Sequence, residues 1–225
     1  MNYAAIAIDG PSGAGKSTLA KRLAKELNFL YLDTGAIYRT VGLHALREGV
    51  DPGDEEAVLA LLPSLTVTTG YGEDGLQHMY RNGEDVTQAI REHQVSDAAS
   101  KVSAIPGVRA YLLEMQRQTA REHNVVMDGR DIGTVVLPDA KVKIFLTAQP
   151  EARAHRRYDE LLERGQQAVY EQILQDVIDR DYRYTHRDVA PLKQAEDAIL
   201  VDTTELSLEE SWQRLYEVVK ERLEL

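Results

Sequence analysis

The 225-residue chain has no cysteine, which excludes disulfides and thiolate metal sites and fits a reducing cytosol. Positive charge is scarce: 26 lysines and arginines face 37 aspartates and glutamates, a formal net charge of -11. Such a balance argues against unaided binding to nucleic acid or to an anionic membrane. No apolar run approaches the ~20 residues that span a bilayer, and no charged-then-apolar leader precedes the first strand. The six histidines are scattered without metal-ligand spacing. These absences predict a cytoplasmic, monomeric, soluble protein in which any phosphate chemistry uses local clusters of positive groups. A hydrophobic content of 43% is ordinary for a globular protein, and the length allows one α/β domain, or a core with small insertions.

What is present begins at residues 6–18, IAIDGPSGAGKST, an apolar strand breaking into a glycine-rich loop that starts a helix. Gly10, Gly15, Lys16 and Ser17 meet the pattern G-x-x-x-x-G-K-S. Gly10, Gly13 and Gly15 let the backbone fold back so that successive N–H groups point at an anion, with Pro11, Ser12, Ala14 and Thr18 completing the cradle. The positive end of the following helix dipole faces the same point. Lys16 reaches the outer phosphates of ATP, and the Ser17 hydroxyl is placed to ligate Mg²⁺.

Along the chain, residues 3–9 read as a buried parallel strand and 17–28 as a helix striped by Leu19, Ala20, Leu23, Ala24 and Leu27. A strand is expected at 29–32, helices at 34–48 and 54–62, strands at 65–69 and 76–81, with turns at 73–75 and at Asn82-Gly83. These hairpin signals inside a parallel pattern mark residues 62–100 as an inserted subdomain. A helix from Pro106 carries Val108, Tyr111, Leu112, Met115 and Thr119 on its apolar side, strands follow at 125–127, 142–146 and 198–201, and a helix striped by Leu208, Trp212, Leu215, Val219 and Leu223 closes the chain. Polar residues at the carboxyl ends of strands, such as Asp128-Gly129-Arg130-Asp131, are site candidates.

Between Glu151 and Arg187 lie seven arginines and no lysine, on two helices separated near Gly165. Arg153 and Arg157 are expected to share one helix face, and Arg180 and Arg187 another. Arginine's planar fork suits phosphate oxygens, although the eight acidic residues of the same segment allow simple surface pairing. No guanine-reading N-K-x-D run is present, nor an apolar strand closing in adjacent acidic residues. The arginine-rich helix pair instead suits a lid that excludes water from a transferring phosphate.

The stretches IDGPSGAGKST, LDTGAIYR, SDAASKVSAIPGVR, DGRDIGT, the RAHRR run and RxxAPLKxAEDAILVDT, in order along nearly the whole chain, resemble the bacterial-type cytidylate kinase family. The resemblance implies the nucleoside monophosphate kinase fold: an α/β five-stranded parallel core flanked by helices, with a small inserted antiparallel sheet and a helical lid. It divides the chain into a core at about 1–33, 104–150 and 188–225, an acceptor segment at about 34–103 and a lid at about 151–187. Carried onto this sequence, Thr34 and Arg39 meet the acceptor phosphate, Ser100, Arg109 and Asp131 read cytosine, and Arg130 lies beside them as a phosphate ligand. Arg180, Tyr184 and Arg187 fall on further acceptor positions, and Lys16, Arg130, Arg153, Arg157, Arg180 and Arg187 share charge neutralisation. The implied substrates are ATP, with Mg²⁺, and CMP or dCMP, with no nucleic acid or membrane partner. Readings left beside it are a kinase for UMP, another monophosphate or a small alcohol such as shikimate, and a P-loop regulatory switch.

The family pattern R-D-x-x-D-x-x-R reads Arg180, Asp181, Tyr184, Arg187 here, so a tyrosine stands where the resemblance implies a ribose-binding aspartate. A phenol brings one donor and no charge, which predicts altered discrimination between ribose and deoxyribose acceptors.

Overall fold

In the computed structural model, residues 3–72 and 75–224 are described. The chain opens with β1 (Ala5–Asp9), α1 (Lys16–Leu27) and β2 (Leu30–Asp33), then α2 (Thr34–Arg47) and α3 (Glu55–Leu61). Strands β3 (Val67–Tyr71), β4 (Gln77–Arg81) and β5 (Glu84–Asp85) follow, with helices α4 (His93–Val102) and α5 (Pro106–Glu122). The remainder is β6 (Val125–Gly129), β7 (Val142–Thr147), α6 (Pro150–Glu163), α7 (Tyr170–Thr185), β8 (Ile199–Asp202) and α8 (Leu208–Leu223). Two compact units result, one from the chain's ends up to Leu30 and from His123, the other spanning Tyr31–Glu122.

A five-stranded parallel sheet runs in the order β2-β6-β1-β7-β8. β1 is central because it has no polar face: Ile6, Ala7 and Ile8 are fully buried, and Ala7 pairs with Met127 on one side and Lys143 on the other. The expected α1 stripe is buried at Leu19, Ala20, Leu23 and Ala24, and Asn28 ends the helix in the left-handed conformation. α8 starts on a capping box in which Ser207 and Glu210 exchange side chain-to-backbone bonds. Its stripe buries Trp212, Leu215 and Val219, while Leu208, at the helix's first position, is exposed.

The second unit holds the inserted antiparallel sheet, ordered β3-β4-β5. Asn82 and Gly83, with φ of 50° and 84°, make the two-residue turn between β4 and β5. β3 begins two residues later than expected, because Leu65 caps the short 3-10 turn Leu62–Ser64, and it extends to Tyr71, which pairs with Gln77. The turn expected at 73–75 lies partly outside the described residues. Helices α2 and α4 approach so closely that a Cβ on Gly42 would lie 2.9 Å from the Ala99 nitrogen. The buried face of α5 carries Val108, Arg109, Leu112 and Gln116, whereas Tyr111 is largely exposed and donates its hydroxyl to the Leu65 carbonyl. Among the described residues no helix is long and apolar enough to cross a membrane.

Candidate active site

The phosphate loop joins β1 to α1 over the carboxyl end of the parallel sheet. Gly10, at φ 150°, passes β7 so tightly that a Cβ would sit 1.9 Å from the Leu146 carbonyl oxygen, and only glycine fits there. Gly15, also at positive φ, precedes the first helical residue, Lys16. Ala14 is buried, Pro11 is buried, Ser12 is half-buried and Thr18 is exposed.

Lys16 is only 4% exposed and donates from Nζ to the Pro11 carbonyl at 2.6 Å. Its pKa lies well below the ordinary lysine value, first because burial disfavours the cation and next because Arg130 and Arg153 add positive charge; Asp128 and Asp9 oppose the shift. The Ser17 hydroxyl donates to Asp128 Oδ2 at 2.9 Å, so a hydroxyl and a carboxylate at the end of β6 present hard oxygens together. That pair fits a Mg²⁺ that keeps most of its coordination for water and phosphate oxygens.

Asp9, at the end of β1, accepts the Ile132 and Gly133 amides at 2.8 and 2.7 Å. Burial pushes its carboxyl up to about 6, against the lowering effect of these two bonds. The anchored segment is the single π turn Ile132–Val136, directly after Arg130 and Asp131. Asp131 is buried, with Oδ1 3.7 Å from Arg187 Nη2. Arg130 donates to the Gly129 carbonyl at 3.1 Å, while its buried Nε has no hydrogen-bond partner among the described residues.

The arginine-rich helices reach the same loop. Arg153, 2% exposed on α6, donates to the Ala148 carbonyl at 2.8 Å and the Ser12 carbonyl at 2.9 Å, and grips Asp181 of α7 with both terminal nitrogens. Arg180 donates to the Ser12 hydroxyl at 3.3 Å, and its pKa is lowered chiefly by burial. Two expectations are corrected. Arg157 does not share the buried face of Arg153: it is exposed and pairs with Glu160 at 2.7 Å, since four residues turn a helix by about 40° and advance it by about 6 Å. Arg187 shares no helix face with Arg180, because α7 ends at Thr185; its guanidinium instead donates to the Ala190 carbonyl. Tyr184, in the last turn of α7, has the Arg130 and Arg187 guanidinium carbons 5.0 and 5.7 Å from its ring centre.

In the second unit Asp33 caps α2 by accepting the Ala36 amide at 2.9 Å, and its other oxygen lies 3.6 Å from Arg39 Nη1. Thr34 is the buried first residue of α2. Gln77 accepts the Asp33 amide at 2.7 Å, tying the inserted sheet to this helix start. Ser100 and Arg109 come together through Ser103, whose hydroxyl donates to the Ser100 carbonyl at 3.0 Å and whose carbonyl accepts from Arg109 at 3.3 Å. The Arg109 guanidinium also lies 5.5 Å from the centre of the Tyr38 ring. Thr34, Arg39, Ser100 and Arg109 thus sit on one unit, and Arg130, Asp131, Arg180, Tyr184 and Arg187 on the other.

Sequence reasoning missed Asp9, named Asp128 only as a strand-end candidate without its Ser17 partner, and gave Asp181 no role. The first two close the apolar strands AIAID and VVMD, and a single carboxylate ending a buried strand was the available signal. Asp181 was visible only as the neighbour of Arg180.

A parallel sheet whose central strand opens into this loop, with serine and aspartate facing each other beneath it, defines a P-loop phosphotransferase fold. The chain matches the family Cytidylate kinase over residues 6–221 and belongs to that family. It is 51% identical over 214 residues to the cytidylate kinase of Carboxydothermus hydrogenoformans, covering 95% of this chain and 96% of that one. The cytidylate kinase of Thermosipho melanesiensis is 48% identical over 220 residues, covering 98% of each. A solved structure of an uncharacterized protein from Eubacterium ventriosum shares the fold at a TM-score of 0.53 and 12% identity, covering 96% of this chain and 98% of that one.

Proposed function

We propose that the protein transfers the γ-phosphoryl group of ATP to a phosphate oxygen of CMP, or of dCMP, giving CDP or dCDP and ADP. The new bond joins the acceptor oxygen to the γ-phosphorus as the bond to the β–γ bridging oxygen breaks. The acceptor phosphate is already an anion near neutral pH, so no strong general base is needed, and positioning with charge neutralisation carries the rate. The observation behind this reading is Lys16, a buried cation crowded by Arg130 and Arg153 in a loop of inward-facing amides. An anionic polyphosphate relieves that crowding.

Lys16 then neutralises the donor phosphates, and Arg153 and Arg180 brace the loop through Ser12. Arg130, with its unpartnered Nε, and Arg187 supply charge to the transferring and acceptor phosphates. Ser17 and Asp128 would hold Mg²⁺, which when bound neutralises charge on the donor phosphates. Thr34 and Arg39 would bind the acceptor phosphate. Asp131 would accept from the cytosine amino group, and Ser100 and Arg109 would donate to its ring nitrogen and carbonyl. A base that leaves those groups unpaired is rejected. Offering CMP, dCMP, UMP, AMP and GMP separately with ATP and following ADP tests the assignment. CMP should give the highest kcat/KM. Equal release with every acceptor, or hydrolysis independent of acceptor, would overturn it.

A further inference from the structure

At the end of α7 two guanidinium groups converge on one aromatic ring. Arg130 comes from the loop after β6 and Arg187 from the segment after α7, and their terminal carbons lie 5.0 and 5.7 Å from the centre of Tyr184. The two cations reach it from positions 57 residues apart in sequence, so the ring is where the two loops are brought into register. The backbone there is also fixed, since the Tyr184 carbonyl accepts the Leu192 amide at 2.8 Å. Arg187 is held further by the Ala190 carbonyl and by Asp131, whereas the Arg130 guanidinium donates to the adjacent Gly129 carbonyl and, among the described residues, its buried Nε meets no acceptor.

An aromatic face attracts a cation through its quadrupole without neutralising it. A carboxylate at the same place would instead cancel one of the two charges and draw the guanidinium hydrogen-bond donors to itself. The ring therefore orients both arginines and leaves their edges and their charge for a phosphate.

We infer that Tyr184 is a positioning residue whose aromatic face sets the placement of Arg130 and Arg187 for an acceptor phosphate. Acceptor recognition in this chain consequently leans on the phosphate. The part that concerns the acceptor rests on the cytidylate kinase reading; the placement of the arginines does not.

The test uses the full chain as Tyr184→Phe, which keeps the ring, and Tyr184→Leu and Tyr184→Met, two ring-free variants of good helix propensity. Without any substrate, the side-chain Nε–Hε resonances of Arg130 and Arg187, identified by Arg130→Lys and Arg187→Lys, are displaced by the ring current in the native chain. Tyr184→Phe should retain that displacement and the ring-free variants should lose it. With substrates, the ring-free variants should raise KM for CMP by about 3- to 10-fold, the loss expected for the two cation–ring contacts, leaving KM for ATP within about twofold. Tyr184→Phe, which keeps the ring, should hold KM for CMP nearer the native value than either ring-free variant does. Unmoved arginine resonances in both ring-free variants would overturn the inference, as would a Tyr184→Phe variant that behaves like Tyr184→Leu. Ring-dependent resonances in a protein with no CMP-dependent ADP release would uphold the positioning role and refute the proposed reaction.

Discussion

In the unit carrying the phosphate loop, Lys16 and Arg153 are buried beside Arg130 and Arg180, and Asp9 is buried with the Ile132 and Gly133 amides donating to it. In the 31–122 unit the buried polar side chains end on neutral or peripheral partners: Arg109 on the Ser103 carbonyl, His44 on Arg81, Gln77 on the Asp33 backbone. Burying like charges together costs stability, and it persists where a ligand of opposite charge completes the set. The first unit thus resembles half of an ion cluster, while these groups of the second pair one by one. The contrast is sharpest in the directions of the shifts, lysine down and aspartate up in the first unit.

The largest test of the contrast is Lys16→Ala. By analogy with removing one oxyanion donor, turnover should fall at least about a hundredfold. Because the lysine is a crowded buried cation, the nucleotide-free variant should melt no lower than the native chain, and about 2 to 4 °C higher if about 1 kcal/mol of repulsion is relieved. Calorimetry without and with ATP reads both sides: ATP should raise the native melting temperature more than the variant's. Near-native turnover, or a marked fall in the unliganded melting temperature, would remove the picture of a cluster awaiting its anion.

Asp9 gives the next effect. Its native pKa of about 6 exceeds the unfolded value of 3.8, so the native state holds the proton more tightly and loses stability as pH rises from about 4 to about 6. The loss is on the order of 3 kcal/mol at neutral pH. Asp9→Asn does not titrate, so its deficit relative to the native chain should shrink by about that amount between pH 4 and pH 7 in denaturant titrations. A deficit that stays constant with pH would show that the carboxyl is not held protonated by burial.

The second unit should answer acid in the opposite sense. His44 is 2% exposed, and its Nδ1 accepts from Arg81 Nε at 2.9 Å, which requires the neutral ring. Burial first and Arg81 second lower its pKa from 6.5, so its contribution is complete above about 6.5 and declines as pH falls below it. Hydrogen exchange followed from pH 7.5 to 5.5 should show amides of α2 and β4 losing protection, and Arg81→Met should reduce that loss. Equal loss in the native chain and in Arg81→Met would break the assignment.

Much of this was legible in the sequence where the determinant is local. The phosphate loop was readable because glycine spacing, a buried strand and an amphipathic helix coincide within residues 5–27. The β4–β5 turn was readable because Asn-Gly suits two positive φ values. The strand order β2-β6-β1-β7-β8 was not legible, since pairing across more than a hundred residues leaves no local mark, and the family resemblance implied only a five-stranded parallel core. The role of Asp128, a strand-end candidate, escaped notice for a related reason: its partner Ser17 is 111 residues away. Arg187 was misplaced because helical spacing continues on paper past Thr185, where α7 stops.

Arg157 supplies the smallest and most discriminating effect, because sequence spacing set it equal to Arg153 and the structure does not. Arg153 joins the loop, α6 and α7 through Ser12, Ala148 and Asp181, whereas Arg157 meets Glu160 in solvent at 2.7 Å. An exposed pair three residues apart on a helix contributes about 0.5 kcal/mol or less, so Arg157→Ala should leave the denaturation midpoint nearly unchanged. Its kcat/KM should fall by less than about threefold, the range of a charge that never leaves solvent. Arg153→Ala leaves the part-buried Asp181 without its partner and the Ser12 carbonyl without its donor, so it should lose stability and rate together, by about 1 to 3 kcal/mol in stability. A loss of tenfold or more in kcat for Arg157→Ala, with stability intact, would mean that α6 turns Arg157 inward when nucleotide is bound. The boundary between cluster and surface would then move one helical turn along α6.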